Sequence, residues 1–335
     1  MTVALSVLDL APIAPGHTAR ESFAASVALA QTAEKHGYRR VWYAEHHNMA
    51  SIASSGTSIL IGHVAGQTST IRLGAGGIML PNHAPLTIAE QFGTLETLYP
   101  GRIDLGLGRA PGSDQVTMHA LRRDAHSSDE FPHDVLELQG YLRGESRVPG
   151  VQAIPGAGTN VPLYILGSSL FGAQLAAALG LPYAFASHFS PDALHEAVAI
   201  YRRDFTPSQQ LAEPYVIAGV NVIAADDAAD ARQQFSTARR ARVRGMLSRG
   251  TAGGPANEYT DEQIDDFLTT PNGRNLANMM KYSAVGAPDE VRDYLEAFAA
   301  SAQADELIVG FQSPTIADRL RSVELTAQAM QGVAA

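Results

Sequence analysis

The stretch IRLGAGGIMLPNHAPLTIAEQFGTLETLYPGRIDLGLG, residues 71–108, contains a complete unit of secondary structure. An apolar run, Ile71–Leu80, is followed by a polar turn and then by a segment from Pro85 to Leu98. Proline is common at the first position of a helix, and the YPG after Leu98 predicts its end. A second apolar run, Ile103–Leu107, comes next. The order strand, helix, strand predicts a βαβ unit with parallel strands.

The same alternation extends through the chain. The apolar runs that predict strands are Val3–Leu10, Val41–Ala44, Ile71–Leu80, Ile103–Leu107, Leu163–Leu166, Tyr183–Ala186, Tyr215–Ala225 and Leu307–Phe311. Many are apolar on both faces, which is typical of a parallel sheet covered by helices. Eight strand–helix alternations favour an α/β fold of the (β/α)₈ TIM barrel type. A doubly wound sheet is the alternative, but APIAPG after the first strand lacks the glycine fingerprint of that fold.

Capping signals predict where several helices begin and end. The predicted N-caps are Thr18 (with Glu21 completing a capping box), Ser190, Ser313, and Asp226 or Asp227. Proline follows both Ser190 and Ser313, as expected at a first helical position. Gly37 ends the first helix, and the helix after Asp227 continues to about Leu247.

Two long connections interrupt the alternation, after the fourth and the seventh strands. Residues 111–162 carry one or two helices and the loop PGVQAIPGAG, and residues 249–288 begin near GTAGGPANEYTD and hold one short helix. Long loops at the ligand end of a barrel are often active-site lids, although a packing appendage or a partner surface is equally compatible with the sequence. We expect residues 1–335 to form a single barrel domain.

Composition excludes several classes of function. The chain has 335 residues, a formal net charge of −10 and no cysteine. Disulfides, thiolate zinc sites and cysteine nucleophiles are therefore excluded, and a nucleic-acid footprint is not expected. The densest basic run, Arg239 to Arg244, is interpreted as a solvated helix face. No signal peptide or membrane span is predicted, so we expect a soluble, cytoplasmic protein.

The sequence AEHHN places Glu45, His46 and His47 where the second strand ends. Chemistry in a barrel sits at the carboxyl ends of the strands, and adjacent residues there face opposite sides. His46 shares its face with the small residue Ala44, so His46 is the preferred candidate to face the pocket. A metal site built on Glu45 and His47 would need further ligands, and the sequence shows no such cluster. We predict no metal.

Two stretches have the features of an anion site. In LGSSLFG, Ser168 or Ser169 would cap a helix whose first N–H groups can bind a phosphate, and Gly172 lets an anion approach the backbone. An ordinary capped helix is the competing interpretation. Arg109 follows the strand IDLGLG, and its guanidinium can bind a phosphate or form a salt bridge at the barrel rim.

A third stretch, LGAGGIMLPNHAP, has glycines at positions 74, 76 and 77 of one strand. A flat ring could lie against such a strand, and tight barrel packing is the alternative. Asn82 and His83 follow at the strand end and could contribute polar groups to a pocket.

Taken together, these stretches resemble the bacterial luciferase-like flavin monooxygenases. The resemblance rests on LSVLDLAPI, YAEHHNM, GGIMLPNHAPL, PGRIDLGLGRAPG and LGSS, covers nearly the whole chain and is strongest up to His188. It implies a (β/α)₈ barrel, reduced flavin mononucleotide (FMN) delivered by a separate flavin reductase, and O₂ as co-substrate. A peroxyflavin would then oxidise an unknown small organic substrate. Relatives of this kind are commonly homodimers.

The resemblance also implies roles for particular residues. His46 would support the flavin chemistry as a general acid or base, Arg109 would bind the phosphate, and Gly76–Gly77 would form a non-proline cis peptide beneath the ring. The backbone phosphate cradle corresponds to Ser168, Ser169 and Gly172, and the weaker pocket candidates are His47, Asn48, His83 and His188. Gly108 replaces a reactive cysteine of the luciferases, and Ser168 replaces a glutamate, so light emission is not implied.

Other functions remain compatible with the sequence. One is a deazaflavin-dependent oxidoreductase of the same superfamily, which transfers hydride without oxygen. Another is a flavin-binding protein without catalytic activity. A metal hydrolase is the least favoured.

Overall fold

The computed structural model describes residues 3–14, 16–110, 114–250 and 259–332. The strands are β1 (Ala4–Asp9), β2 (Arg40–Tyr43), β3 (Arg72–Met79), β4 (Ile103–Gly108), β5 (Leu163–Gly167), β6 (Tyr183–Phe185), β7 (Val216–Ala224), β8 (Ser283–Gly286) and β9 (Glu306–Phe311). The helices are α1 (Ala19–Lys35), α2 (Thr57–Ala65), α3 (Pro85–Leu98), α4 (Gln115–Ala120), α5 (Phe131–Arg143), α6 (Leu170–Leu179), α7 (Leu194–Asp204), α8 (Ala228–Gly250), α9 (Asp261–Thr269), α10 (Pro271–Asn278), α11 (Pro288–Ala302) and α12 (Ile316–Gln331). None of these helices combines the length and hydropathy that crossing a bilayer requires.

The sheet closes on itself as a parallel barrel. Strands β1 to β6 pair in chain order, β6 pairs with β7, β7 with β9, and β9 with β1. The predicted (β/α)₈ TIM barrel is therefore confirmed, and all eight predicted strands are present. A ninth strand, β8, was not predicted. It has only four residues and pairs, among the described strands, with the end of β7 that extends beyond β6.

Side chains alternate between two apolar layers along each strand. On β2, Val41 and Tyr43 point outward into the main core beneath the helices. Trp42 and Ala44 point into the barrel. The other buried side chains of that interior cluster are Leu8, Tyr164, Ala184, Ile217 and Ile308. Gly74 faces the same interior, where a Cβ atom would lie 2.9 Å from Trp42 Nε1, so this glycine reflects tight barrel packing.

The amino-terminal end of the barrel is closed by a buried ionic network. Arg40, only 1% exposed, lies 2.7 Å from Asp104 Oδ2 through Nη1 and 2.9 Å from Glu306 Oε1 through Nε. Trp42 Nε1 also donates to Asp104, at 3.1 Å. Burial alone would lower the pKa of Arg40, but the two carboxylates raise it above its usual range. The network is charged and internally paired.

The predicted helix starts are partly confirmed. The capping box at Thr18, the helix Pro85–Leu98 and the positive φ of Gly37 are present. Asp227 caps α8 by accepting the N–H groups of residues 229 and 230, each at 2.9 Å.

The starts predicted at Ser190 and Ser313 are wrong. Ser190 donates its N–H to the carbonyl of Ala186 and belongs to a turn, so α7 begins only at Leu194. The helix after Ser313 is capped by Thr315, which accepts the Asp318 N–H at 3.1 Å.

The two long connections differ in structure. In the first, α5 buries Phe131, Val135 and Leu138 as an ordinary outer helix of the barrel, and the short helix α4 and a 3₁₀ turn precede it. The second holds α9, α10 and β8, not the single short helix expected. Residues 111–113 and most of GTAGGPANEYTD lie outside the described residues. A lid role for either connection stays a prediction.

The basic run on α8 is not the solvated face that the sequence suggested. Arg240 binds Asp265, and Arg244 lies 2.7 Å from Asp261. These ion pairs attach α9 to α8. The helix pattern alone could not show this, because both carboxylates come from a later segment.

Candidate active site

The candidate site lies at the carboxyl end of the barrel, where β2, β3, β4, β5 and β6 end. His46 follows β2 in the same alternation that points Trp42 and Ala44 into the barrel. It is partly buried, and its charge influences the ring of His188 after β6. His46 and His188 thus follow two strands at the same end of the barrel.

Glu45 is the centre of a hydrogen-bond cluster. Its side chain is 1% exposed. Oε1 lies 2.7 Å from His47 Nε2 and 2.9 Å from His83 Nε2. Oε2 accepts the Met79 N–H at 3.0 Å, and Asn82 Nδ2 lies 3.4 Å from Oε1. The buried carboxylate therefore faces several donors.

These contacts set the charges of the cluster. Burial alone would raise the pKa of Glu45, but hydrogen bonds from His47, His83 and the Met79 N–H lower it to about 2. The same hydrogen bond to Glu45 raises the pKa of His47 above its ordinary value, against the opposing effect of burial. Glu45 is thus an anion at neutral pH, and His47 holds its proton more tightly than a free imidazole.

Sequence reasoning found no third ligand to join Glu45 and His47, and the structure supplies one. His83, 38 positions after Glu45, places its ring nitrogen within 4.8 Å of the other two ligand atoms. One carboxylate and two imidazoles suit a transition metal. The hydrogen bonds from His47, His83 and the Met79 N–H also satisfy the Glu45 carboxylate without a metal. The absence of a metal therefore stays a prediction.

Strand β3 is irregular beside this cluster. Its register with β4 shifts between Ala75 and Ile78, and the Gly76–Gly77 peptide is cis, as predicted. The Glu45 N–H donates to the Gly77 carbonyl at 3.3 Å, and the Glu45 side chain accepts from Met79. Glu45 therefore fixes the backbone on the carboxyl side of the cis bond. From the sequence, Glu45 was expected only as a possible metal ligand.

The two predicted anion-binding elements lie side by side. The Arg109 guanidinium sits 4.3 Å from the ring centroid of Phe171, in the first turn of α6, and its Nε donates to the Ser128 carbonyl at 3.3 Å. Ser169 is the N-cap of α6, yet among the described residues no side chain caps its first N–H groups. Ser168 and Ser169 precede this turn. The geometry therefore joins a cation to an uncapped helix start, as an anion site requires.

Gly172 has a packing role that the sequence did not reveal. A Cβ atom there would lie 3.3 Å from the ring of Tyr183 and 3.6 Å from the Cα of Gly167. Gly167 and Gly172 therefore let α6 approach β5 closely. The predicted contact of Gly172 with a phosphate is not tested by this packing.

His188 is an uncharged histidine in the site. Burial, together with the charges of Arg242 and His46, lowers its pKa to about 3. Its Nδ1 is buried, with no hydrogen-bond partner in the described part of the chain. The ring lies so close to Gly219 that a Cβ atom there would be 2.3 Å from Nδ1.

Asn221 supports His188 and was missed by the sequence analysis. It is 2% exposed on β7, and its Nδ2 donates to the His188 carbonyl at 2.7 Å. The available signal was an asparagine inside the apolar run VIAGVNVIA. Asn48, in contrast, lies exposed with a φ of 55° and approaches Asp114 at 3.4 Å, on the rim.

The family model for luciferase-like monooxygenases matches residues 3–306. A luciferase-like monooxygenase of Escherichia coli (strain K12) is 50% identical over 325 residues, covering 97% of this chain and 96% of the relative. The chain belongs to the luciferase-like monooxygenase family. The resemblance inferred from the sequence motifs is confirmed.

Solved structures agree with the barrel fold. The crystal structure of apo-MsnO8 matches with a TM-score of 0.87 and 37% identity, over 98% of each chain. At 17% identity, the oxygenating constituent of 3,6-diketocamphane monooxygenase from Pseudomonas putida, in complex with FMN, has a TM-score of 0.73 over 98% of each chain. An F420-dependent secondary alcohol dehydrogenase has a TM-score of 0.70 at 16% identity over the full length of both chains. These last two show a shared fold.

Proposed function

We propose that this member of the luciferase-like monooxygenase family uses reduced FMN and O₂ to oxidise a small organic substrate. One observation carries the proposal: the Arg109 guanidinium lies beside the uncapped start of α6, at the end of the barrel where His46 and His188 follow their strands. A cation and free N–H groups together suit a phosphate. An FMN complex with the same fold supports the choice of cofactor.

The residues present fit a flavin phosphate. Arg109 would pair with it, and the N–H groups that follow Ser168 and Ser169 would donate to it. The ring would lie against the Gly76–Gly77 segment, whose backbone Glu45 holds in place. The two glycines themselves are required by close packing on Trp42 and Gly106. Bound reduced FMN would supply the electrons that activate dioxygen.

The remaining chemistry belongs to the chain itself. His46 would take or give a proton at its imidazole, because histidine is the side chain that most often does so near neutral pH. His188 is neutral at that pH and can hydrogen-bond the substrate without adding charge. Helix α8, which packs over the end of β7, would help to keep water from the site.

The direct test is to titrate the purified protein anaerobically with reduced FMN and then mix the complex with O₂ in a stopped-flow instrument. We expect saturable binding and a reoxidation rate that differs from that of free reduced FMN. Binding with reoxidation identical to free flavin would support a non-catalytic flavin-binding protein. No binding would contradict the proposal.

The second candidate is hydride transfer with a deazaflavin. It is favoured by the F420-dependent dehydrogenase that shares this fold. Titration with reduced F420 in parallel separates the two, because a deazaflavin enzyme would bind F420 tightly and show no oxygen use with FMN.

We also propose two partners. A separate flavin reductase would supply reduced FMN, and a second copy of the chain would bind α2 and α3, which expose Ile59 (79%) and Leu98 (63%). Light scattering of the parent and of Ile59→Asp tests the homodimer. We expect a dimer that the aspartate weakens, and a monomeric parent would contradict this.

A further inference from the structure

The first turn of α6 carries an aromatic side chain as well as free N–H groups. Phe171 is the second residue of α6, and its partly buried ring packs against the main core. The first four N–H groups of a helix have no partner within the helix. Among the described residues, no side chain caps these groups in α6. One helical turn therefore offers both N–H donors and the face of a ring.

The exposed side chain of Arg109 lies over this ring. Its guanidinium carbon is 4.3 Å from the ring centroid of Phe171. The other arginine–ring contacts among the described residues are longer, at 5.1–6.0 Å. A guanidinium this close to the face of an aromatic ring is attracted to it. The ring therefore restricts where the cation of Arg109 can lie.

A second element contacts Arg109 from the first long connection. Arg109 Nε donates to the Ser128 carbonyl at 3.3 Å, and the Ser128 hydroxyl donates to the Arg109 carbonyl at 3.3 Å. Ser128 ends the 3₁₀ turn Ala125–Ser128, which Asp124 caps. Within the part of the chain that the structure describes, neither Nη group of Arg109 donates a hydrogen bond. Both Nη groups are thus left for a ligand beside the first turn of α6.

This arrangement lowers the cost of binding an anion. An unrestrained arginine side chain has many rotamers, and binding an anion selects one of them. A side chain that is already held in place loses less entropy when the ligand binds. Because the ring and the N–H donors belong to the same turn, a guanidinium held by Phe171 keeps a fixed place relative to these donors.

We propose that Phe171 is a positioning residue for the flavin phosphate, because its ring holds the Arg109 guanidinium beside the free N–H groups of α6. The side chain of Phe171 acts through Arg109. The inference rests on the proposed function, since it concerns the binding of FMN. It predicts that the contribution of the ring depends both on the phosphate of the flavin and on the presence of Arg109.

Flavin fluorescence titrations of the full-length protein test the dependence on the phosphate. Phe171→Leu removes the ring and keeps an apolar side chain, whereas Phe171→Tyr keeps the ring. We expect Phe171→Leu to weaken FMN binding about 2-fold to 5-fold, as for loss of an exposed cation–π contact, and to leave riboflavin binding unchanged. Phe171→Tyr should bind FMN as the parent does.

Phe205→Leu is the matched control. Phe205 is also partly buried and follows α7, and its ring packs on Tyr201 with centroids 5.6 Å apart. Among the described contacts, no guanidinium lies over the Phe205 ring. We expect both flavins to bind this variant as they bind the parent.

The dependence on Arg109 is tested in a second background. In Arg109→Ala, the additional change Phe171→Leu should not weaken FMN binding further. If Phe171 served only to fold α6, the same loss would occur with and without Arg109. The comparison therefore separates positioning of the cation from packing of the helix.

Carbon NMR of protein with labelled arginine Cζ atoms reports the contact without any flavin. The signal missing from Arg109→Ala assigns Arg109. We expect the ring current of Phe171 to shift this signal to lower frequency, and we expect Phe171→Leu to abolish the shift and Phe171→Tyr to retain it. An Arg109 signal that does not move in Phe171→Leu would contradict the contact.

Three binding results would overturn the inference. They are unchanged FMN affinity in Phe171→Leu, equal losses for FMN and riboflavin, and an undiminished loss in the Arg109→Ala background. A parent that binds no flavin contradicts the proposed function and, with it, the role of Phe171 in binding FMN. A parent that prefers FMN to riboflavin, while Phe171→Leu leaves this preference unchanged, contradicts only the inference.

Discussion

The two ends of the barrel differ in whether their buried polar side chains are paired. At the amino-terminal end, Arg40 is enclosed by Asp104 and Glu306, which are fully buried and paired with it. At the carboxyl end, Asn221 Oδ1 and His188 Nδ1 are buried without partners among the described residues. The first end pairs its charges internally, although Arg40 Nε meets Glu306 as an ion pair without hydrogen-bond geometry. At the second end, neutral polar atoms lack a partner among the described residues.

This difference separates stability from function within one fold. Charge pairs at the amino-terminal end help to define the barrel, whereas unpartnered polar atoms at the carboxyl end are expected where a ligand binds. The Glu45 cluster lies at the carboxyl end, but it resembles the network at the amino-terminal end, because the Glu45 carboxylate has hydrogen-bond donors within the chain. We therefore expect Glu45 to act through the backbone of β3 and His46 to act on the bound molecule.

The largest expected effect is on activity. His46→Ala should slow the oxygen-dependent reoxidation of bound reduced FMN, or its coupling to substrate, by about 10²–10⁴-fold, as for loss of a general acid or base. Stopped-flow absorbance measures it. His133→Ala, an exposed histidine of α5, is the control. Parent-like kinetics in His46→Ala would remove this residue from the mechanism.

The second prediction concerns the ionic network at the amino-terminal end of the barrel. Arg40→Met leaves two buried carboxylates without their cation, and we expect the free energy of unfolding to fall by about 3–5 kcal/mol. The neighbouring Arg39→Met should cost less than about 1 kcal/mol, because Arg39 is 50% exposed and lies 3.9 Å from Glu306. Urea denaturation compares the two. Equal losses of unfolding free energy in the two variants would contradict a stabilising role for the buried Arg40 ion pairs.

The third prediction is a pH dependence. The folded pKa of Glu45 lies near 2, below its ordinary value of 4.5, so its contribution is complete above pH 4.5 and is lost as the pH falls toward 2. The raised pKa of His47 acts in the opposite sense: its contribution is complete below pH 6.5 and is lost as the pH rises through the folded value. The Glu45–His47 pair thus contributes most to the stability of the fold between pH 4.5 and pH 6.5.

Glu45→Gln tests this window. We expect a loss of about 3 kcal/mol of unfolding free energy near pH 6, shrinking as both proteins are taken below pH 4.5. In the variant, NMR titration should move the pKa of His47 back toward 6.5. Glu262→Gln, at an exposed site on α9, is the control. A stability difference that does not change with pH would argue against the ionised pair.

Local signals in the sequence located most of the fold. The capping box at Thr18 and the proline at 85 mark helices because they satisfy or avoid free N–H groups at the helix start. Strand β8 was not predicted, because the four residues SAVG show no hydrophobic pattern of their own. Among the described strands, β8 pairs where β7 extends beyond β6. The contact of His83 with Glu45 depends on the closure of β3 against β2, which local patterns do not encode.

For the candidate site, the sequence likewise indicated individual residues but not the contacts between distant ones. Strand alternation placed His46 with Ala44, and a helix start after SS indicated an anion site. That Arg109 lies over the first turn of α6 could not be read from residues so far apart in the chain. The pairing of Arg240 and Arg244 with α9 was also hidden, because a helix pattern does not show which segment faces the helix.

The most direct test of the account compares FMN with riboflavin, which lacks the phosphate. Flavin fluorescence titrations of the parent, Arg109→Ala and the exposed control Arg203→Ala give each affinity. We predict that the parent and the control prefer FMN, and that Arg109→Ala weakens FMN about 10-fold to 100-fold while leaving riboflavin unchanged. Equal loss of both flavins, or no loss of either, would contradict the placement of the phosphate beside α6.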